Sequence, residues 1–300
     1  MKIMRLASAL VAVVALAGTA AAPRADAGRS LPTMFDIEEQ AVDCEGAQLT
    51  GPEATSTAHV TGGADRISLD VFVVLDLEQS VDVARLGKGT QAYLAAGNQL
   101  YAGVLDLLEV VPQSYEPLGI DLRFVGWDLL APLDQTGAER ERTVESQEII
   151  DLAKAQFGGQ RPAGADVVYV ATDLDIAALG SNAVAGQADC IGGVANPDAA
   201  FAVGEVGDAL VPPKDGIAIG PVSFYRDFAA KVAAHEIGHL MGGHHHYQEC
   251  GTPGPAQSAV TRAEVGACTL MSNAVDFQTL PFGTLNGIVV RGHAESFASD

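Results

Sequence analysis

The sequence predicts an α/β (α+β) domain built on a mostly parallel sheet, and three features predict it. Strand-like and helix-like segments alternate between residues 67 and 171, an order that argues for parallel strands joined by right-handed helical crossovers. The segment at residues 166–171, DVVYVA, is almost wholly apolar, as expected of a central strand covered on both faces. A longer segment at residues 223–241, SFYRDFAAKVAAHEIGHLM, is apolar or small almost all round, which marks a buried helix rather than a surface one.

The chain opens with Lys2 and Arg5, an apolar run over residues 6–17 and then small residues, the arrangement of a cleavable secretory signal. Cleavage is expected after Ala27, at Ala25-Asp26-Ala27, because cutting after Ala22 would place Pro23 next. The run is too short to span a bilayer and no later segment is long and apolar enough, so a secreted product with no membrane attachment is expected. Residues 28–66 are polar and read as an extended lead-in or short pro-segment, with His59 as a surface residue. Residues 67–300 are expected to form one domain. Within it, residues 67–75, ISLDVFVVL, are rich in β-branched side chains and form the first strand. Residues 89–108 form a helix with Leu94, Tyr101, Leu105 and Leu108 on one face. Pro117 and Gly119 turn the chain into a second strand at 120–127. Residues 143–157 form a second helix stopped by Gly158-Gly159, and residues 166–171 form the third strand. Weaker strands are expected near 183–191 and 200–206. A loop at 211–216, VPPKDG, precedes the buried helix, and residues 285–297 form a short closing helix.

The buried helix runs into AAHEIGHLMGGHHH, residues 233–246. Inside it His235, Glu236, His239, Gly242 and His245 fit H-E-x-x-H-x-x-G-x-x-H at every specified position. His235 and His239 are four apart, so on a helix they share one face and can grip one metal ion. Gly242 can take the left-handed conformation that ends a helix, which lets a later histidine return as a third nitrogen ligand. Three protein ligands leave a fourth tetrahedral position open, the arrangement of a catalytic zinc rather than a structural one. Glu236 follows the first ligand and can reach a water in that open position as its general base. A buried Glu is costly without a partner or a task, which a surface tract of incidental histidines would not explain.

This motif resembles that of the metzincin zinc metalloendopeptidases. Cys268-Thr269-Leu270-Met271-Ser272 looks like their Met-containing turn, and its Cys-x-x-Met form is closest to the reprolysin-like (adamalysin) branch. The resemblance covers residues 67–297 in layout and is specific at 235–245 and 268–272. It implies a metzincin-like zincin fold: a twisted, mostly parallel five-stranded sheet with an antiparallel edge strand, the buried zinc-binding helix, and a small irregular C-terminal subdomain with one helix. It implies one Zn2+ held by His235, His239 and His245, Glu236 as the base, and Met271 as an apolar floor without proton chemistry. Of His244, His245 and His246 only one can aim at the metal, because consecutive side chains point in different directions, and the family pattern puts it at His245. It also implies an extended polypeptide substrate along the edge strand, for which residues 186–194 are the candidate and otherwise a loop, and a monomeric secreted endopeptidase. Two departures stand out. His246 occupies the place where reprolysins usually carry Asp, which leaves the surroundings of the ligands open. Asn273 occupies the place where astacins and serralysins carry Tyr, which argues against those branches.

Charge and cysteines narrow the classes further. The chain has 17 Lys and Arg against 38 Asp and Glu, a formal charge of −21. Removing residues 1–27 takes away Lys2, Arg5, Arg24 and Asp26, a net of +2, so −21 becomes −23. Such a surface repels nucleic acid and anionic membranes, and solubility is its plain meaning. Acidic clusters could also hold structural Ca2+, although no loop has EF-hand spacing. The 4 cysteines of an exported chain predict two disulfides, with three possible connectivities. Cys250 and Cys268 bracket the loop between His245 and the Met turn and are expected to pair, leaving Cys44 with Cys190. The alternative makes Cys44 an inhibitory thiolate on the zinc, as in prodomains of related proteases, but VDCEG does not match their switch motif. Two other functional classes stay open: a zinc hydrolase of a non-protein amide, and a non-catalytic binding protein on a protease scaffold. A cleft open at both ends would argue against the first, and retention of Glu236 argues against the second.

Overall fold

The computed structural model describes residues 43–44, 66–130, 144–177, 183–206, 222–245, 269–272 and 281–298, and every structural statement below is made of these. The expectations for the signal segment, most of the lead-in with His59, the 211–216 loop, His246, Cys250, Cys268 and Asn273 lie outside them. In chain order the elements are β1 (Ile67–Asp76), α1 (Glu78–Arg85), α2 (Gln91–Leu107), α3 (Val111–Tyr115), β2 (Ile120–Leu129), β3 (Val144–Glu145), α4 (Ser146–Gln156), β4 (Val167–Thr172), β5 (Ile176–Ala177), β6 (Ala183–Val184), β7 (Gly186–Ala188) and β8 (Phe201–Glu205). A central helix, Val222–Leu240, and a closing helix, Thr284–Phe297, follow.

Five strands form one sheet in the order β2-β1-β4-β8-β7. The β1–β2, β1–β4 and β4–β8 pairings are parallel and β7–β8 is antiparallel. The mostly parallel sheet with one antiparallel edge strand expected from the resemblance is therefore present. β4 lies at its middle and is buried at every residue, as its unbroken apolar run requires. Successive β4 side chains serve two cores. Val167, Tyr169 and Ala171 pack with Ala230, Ala233 and Ile237 of the central helix, whereas Val168 and Val170 pack with Ile149, Ile150 and Ala153 of α4. Each such fully buried Val, Leu or Ile contributes about 1.5–3 kcal/mol, so this double cover holds the sheet that carries the site. β3, β5 and β6 make a separate small sheet, and only the β7 portion of the 183–191 segment joins the large one.

Of the expected α2 face, Tyr101 packs against the core and Leu108 is fully buried, and the structure corrects the place of Leu94. Leu94 is 41% exposed, and the buried side is Tyr93, Gly97, Val104 and Leu107. The cause is Trp127: a Cβ at Gly97 would lie 1.9 Å from its Cη2, so the indole of β2 supplies the apolar volume that a leucine-based reading assigns to the helix. The indole N–H donates to Asn98 Oδ1 at 2.8 Å, which fixes the ring over the glycine. β2 also runs two residues past the expected end and carries a bulge. Val71 pairs with Phe124 and Phe72 with Gly126, leaving Val125 as the extra residue, 45% exposed. A bulge on an edge strand increases twist and discourages edge-to-edge pairing.

Residues 43–44 are tied to the domain at the end of the edge-strand segment. Cys44 and Cys190 form a disulfide with Cα atoms 5.2 Å apart, the Cys44 N–H donates to Ile191 O at 2.9 Å, and Asp43 bridges Ile191 in parallel. This is the Cys44–Cys190 pairing expected above. No helix among the described residues is long and apolar enough to cross a membrane.

Candidate metal centre

The central helix carries His235 and His239 into the interior, and residues 229–243 are all buried. The helix stops in a Schellman arrangement. Gly243 N–H donates to Gly238 O and Gly242 N–H to His239 O, both at 2.8 Å, which satisfies carbonyls that the helix end would leave open. Gly242 has φ +83°, and a Cβ there would lie 2.3 Å from His293 Cε1 of the closing helix. Conformation and space both demand glycine at this point, and the turn brings His245 back over the helix face.

The Nε2 atoms of His235, His239 and His245 converge, with separations of 2.9 Å for 235–245 and 3.0 Å for 239–235 and 239–245. The other ring nitrogens of the two helical histidines are committed. His235 Nδ1 donates to Leu270 O and His239 Nδ1 to Gly243 O, each at 2.7 Å. A carbonyl can only accept, so Nδ1 carries the proton and each Nε2 presents a lone pair. Lone pairs meeting at this distance repel unless a cation lies between them. Burial, followed by the neighbouring His239 and His245 rings, holds His235 well below the usual imidazole range, which favours the neutral, ligand-ready form. Neutral imidazole triads suit zinc, so these residues fit the ion that the motif implies. They form the one group among the described residues that could hold a metal ion, and no Ca2+ site appears among them.

The expected Met turn sits against this cluster. Thr269 N–H donates to Ser272 Oγ at 3.2 Å and Ser272 N–H to Thr269 O at 3.1 Å, closing a tight turn whose Leu270 carbonyl is the one that orients His235. Met271 is fully buried, and a Cβ at Gly238 would lie 2.8 Å from its Sδ. The thioether therefore packs on the helix backbone between the two ligands, as an apolar floor. Glu236, also fully buried, points to the edge strand: a Cβ at Gly186 would lie 2.6 Å from its Oε1. Tyr115 and Tyr169 flank it, their phenols pushed well up by burial first and by the Glu236 charge second. Tyr115 Oη donates to Ala234 O at 2.8 Å, pinning the helix just before the first ligand. The structure thus brings His235, Glu236, His239, His245 and Met271 together. Sequence reading missed Tyr115, Asn286, which holds the His244 backbone, and the close approach of Gly186 to Glu236.

Comparison with known proteins finds a family model that spans the metal centre. The model of the reprolysin-like M12B metallopeptidase family matches residues 102–246, just under half of the chain. Solved structures similar to it include archaemetzincin from Methanopyrus kandleri, 21% identical over 59% of this chain and 76% of that one, with a TM-score of 0.35. Archaemetzincin from Archaeoglobus fulgidus is 19% identical over 61% of this chain and 84% of that one, with a TM-score of 0.32. Metalloproteinase-II from Bacteroides fragilis is 14% identical over 74% and 51%, with a TM-score of 0.38. No curated protein matches at a significant level. At these identities the fold assignment rests on the chain's own sheet order and motif. Motif, sheet and family model agree on a metzincin-like zinc metallopeptidase, with the reprolysin-like family as the one matched.

Proposed function

We propose that this chain is a secreted zinc-dependent endopeptidase. The observation that carries the reading is the convergence of three imidazole Nε2 atoms beside a buried carboxylate that abuts the edge strand. His235, His239 and His245 would hold the ion, which when bound supplies a Lewis acid for water and for the scissile carbonyl. Glu236 accepts a proton from the attacking water as its oxygen bonds to the carbonyl carbon. It then returns that proton to the amine as the C–N bond breaks, so one water is consumed per bond. Leu270 O and Gly243 O keep two ligand rings in the correct tautomer and orientation throughout.

A polypeptide substrate is supported by the edge strand. Asp189 N–H bonds Phe201 O and Glu205 N–H bonds Ala185 O, both at 2.9 Å. In an antiparallel ladder the intervening odd position, Gln187, also faces β8, so the main-chain groups of Gly186 and Ala188 point away from the sheet. That outward row lies next to Glu236 and can pair with an extended chain. Export is supported by residues 1–27 and by the Cys44–Cys190 disulfide, a bond of oxidising compartments. The test is Glu236→Ala. It is expected to keep one zinc per chain and its fold while losing peptide hydrolysis by several orders of magnitude, because the base acts in the transition state and is not a ligand. Near-normal turnover by the variant would remove Glu236 from the mechanism.

A further inference from the structure

The third histidine reaches the metal centre on a turn that begins with two glycines, Gly242 and Gly243, so beyond the Schellman bonds its backbone needs a further hold. What fixes it comes from a distant element. Asn286, on the first turn of the closing helix and 6% exposed, meets His244 with both ends of its amide. His244 N–H donates to Asn286 Oδ1 at 2.9 Å, and Asn286 Nδ2 donates to His244 O at 2.9 Å. The second of these bonds holds the peptide plane that leads directly into His245. Two bonds from one buried, planar side chain fix the orientation of that backbone as well as its position. The other hold on His244 is weaker. Its ring lies 3.2 Å from Asp43 Oδ1, with both side chains substantially exposed, and such pairs contribute little.

We propose that Asn286 is a positioning residue for the zinc site, setting the direction in which His245 leaves the turn and hence the affinity and geometry of the bound ion. This rests on the reading that the three histidines hold zinc. Ligands must be held within about 0.5 Å of the productive geometry, and residues that orient ligands typically change metal affinity by about 10–100-fold when removed. Without the clamp, more of the ordering of His245 falls to the metal, and that cost appears as weaker binding. The Asp43 contact should matter far less.

The test uses the full secreted chain and compares wild type, Asn286→Ala, Asn286→Asp and Val290→Ala. Val290 is a fully buried core residue of the same helix that does not contact His244 through a hydrogen bond. Two quantities are read: the zinc Kd in competition with a chromophoric chelator, and the visible spectrum of the Co2+-substituted protein. Asn286→Ala is expected to weaken zinc about 10–100-fold and to alter the Co2+ bands. Asn286→Asp keeps the acceptor for His244 N–H but turns an oxygen toward His244 O, and is expected to weaken zinc as well. Val290→Ala should lower the unfolding temperature of the metal-free protein while leaving Kd and spectrum unchanged. The proposal is overturned if folded Asn286 variants keep the wild-type Kd and spectrum. It is equally overturned if Val290→Ala weakens zinc as much, or if neither Asn286 variant folds, since Asn286 would then be an ordinary core residue. Wild-type protein that takes up no zinc would instead overturn the functional reading beneath the proposal.

Discussion

His244 and His245 are neighbours with different jobs, and the difference follows from where each is held. His245 Nε2 meets the Nε2 atoms of His235 and His239, whereas the His244 ring turns to Asp43. His245→Ala should therefore lose stoichiometric zinc on dialysis against a weak chelator, while His244→Ala and His246→Ala keep it. Retention by His245→Ala together with loss by a neighbour's variant would show that the register of the turn is wrong. Gly186 provides a second residue-scale test. Its missing Cβ leaves room for Glu236, since a methyl there would sit 2.6 Å from Oε1 and 2.7 Å from Val232 Cγ1. Gly186→Ala should keep zinc and lower kcat by about 100-fold, the cost of displacing a reacting group by roughly 1 Å. Unchanged kcat in a folded, zinc-loaded variant would mean that the carboxylate is not held where the base must stand. The clustering of His235, His239 and His245 beside Glu236 was legible in the sequence because one helix and one turn place them, so spacing alone encodes their geometry. Gly186 and Asn286 were not, because each acts across a long stretch of chain, against Glu236 and His244, and no local pattern records such a contact.

At the scale of elements, legibility followed how local the cause was. β1 and β4 were readable from β-branched runs, and α4 from its glycine stop, Gly158 and Gly159, both with positive φ. α1 and α3 were missed because they are short, 8 and 5 residues. β7 is a Gly-Gln-Ala strand with almost no propensity, and its place at the edge comes from pairing with β8. On α2 only Leu94 was misplaced, because Trp127 fills the space over Gly97. That packing predicts a stability effect. A methyl at Gly97 would collide with the indole at 1.9 Å, so Gly97→Ala should lower the denaturation free energy by about 1–3 kcal/mol, the usual cost of overpacking, despite alanine's better helix propensity. Denaturant titration measures it. A stabilised variant would show that the indole moves away freely.

For the molecule as a whole, the site is an assembly of four separate segments. The central helix gives His235, His239 and Glu236, the glycine turn gives His245, and the Met turn gives Met271 and the Leu270 carbonyl that accepts from His235. The edge strand gives the place where a substrate can lie, and the Cys44–Cys190 bond anchors the N-terminal segment at the end of that strand. The parallel order of β2-β1-β4-β8 makes this convergence possible, because it leaves one face of the sheet to the central helix and places the antiparallel strand beside it. The central claim, that this assembly cuts polypeptide chains, is tested most directly by digesting a denatured proteome with zinc-loaded wild-type protein and with Glu236→Ala, and sequencing the new termini. The account predicts many internal cleavages with the wild type and none above background with the variant. Zinc-loaded wild-type protein that generates no new termini, or a variant that generates the same set, would contradict it.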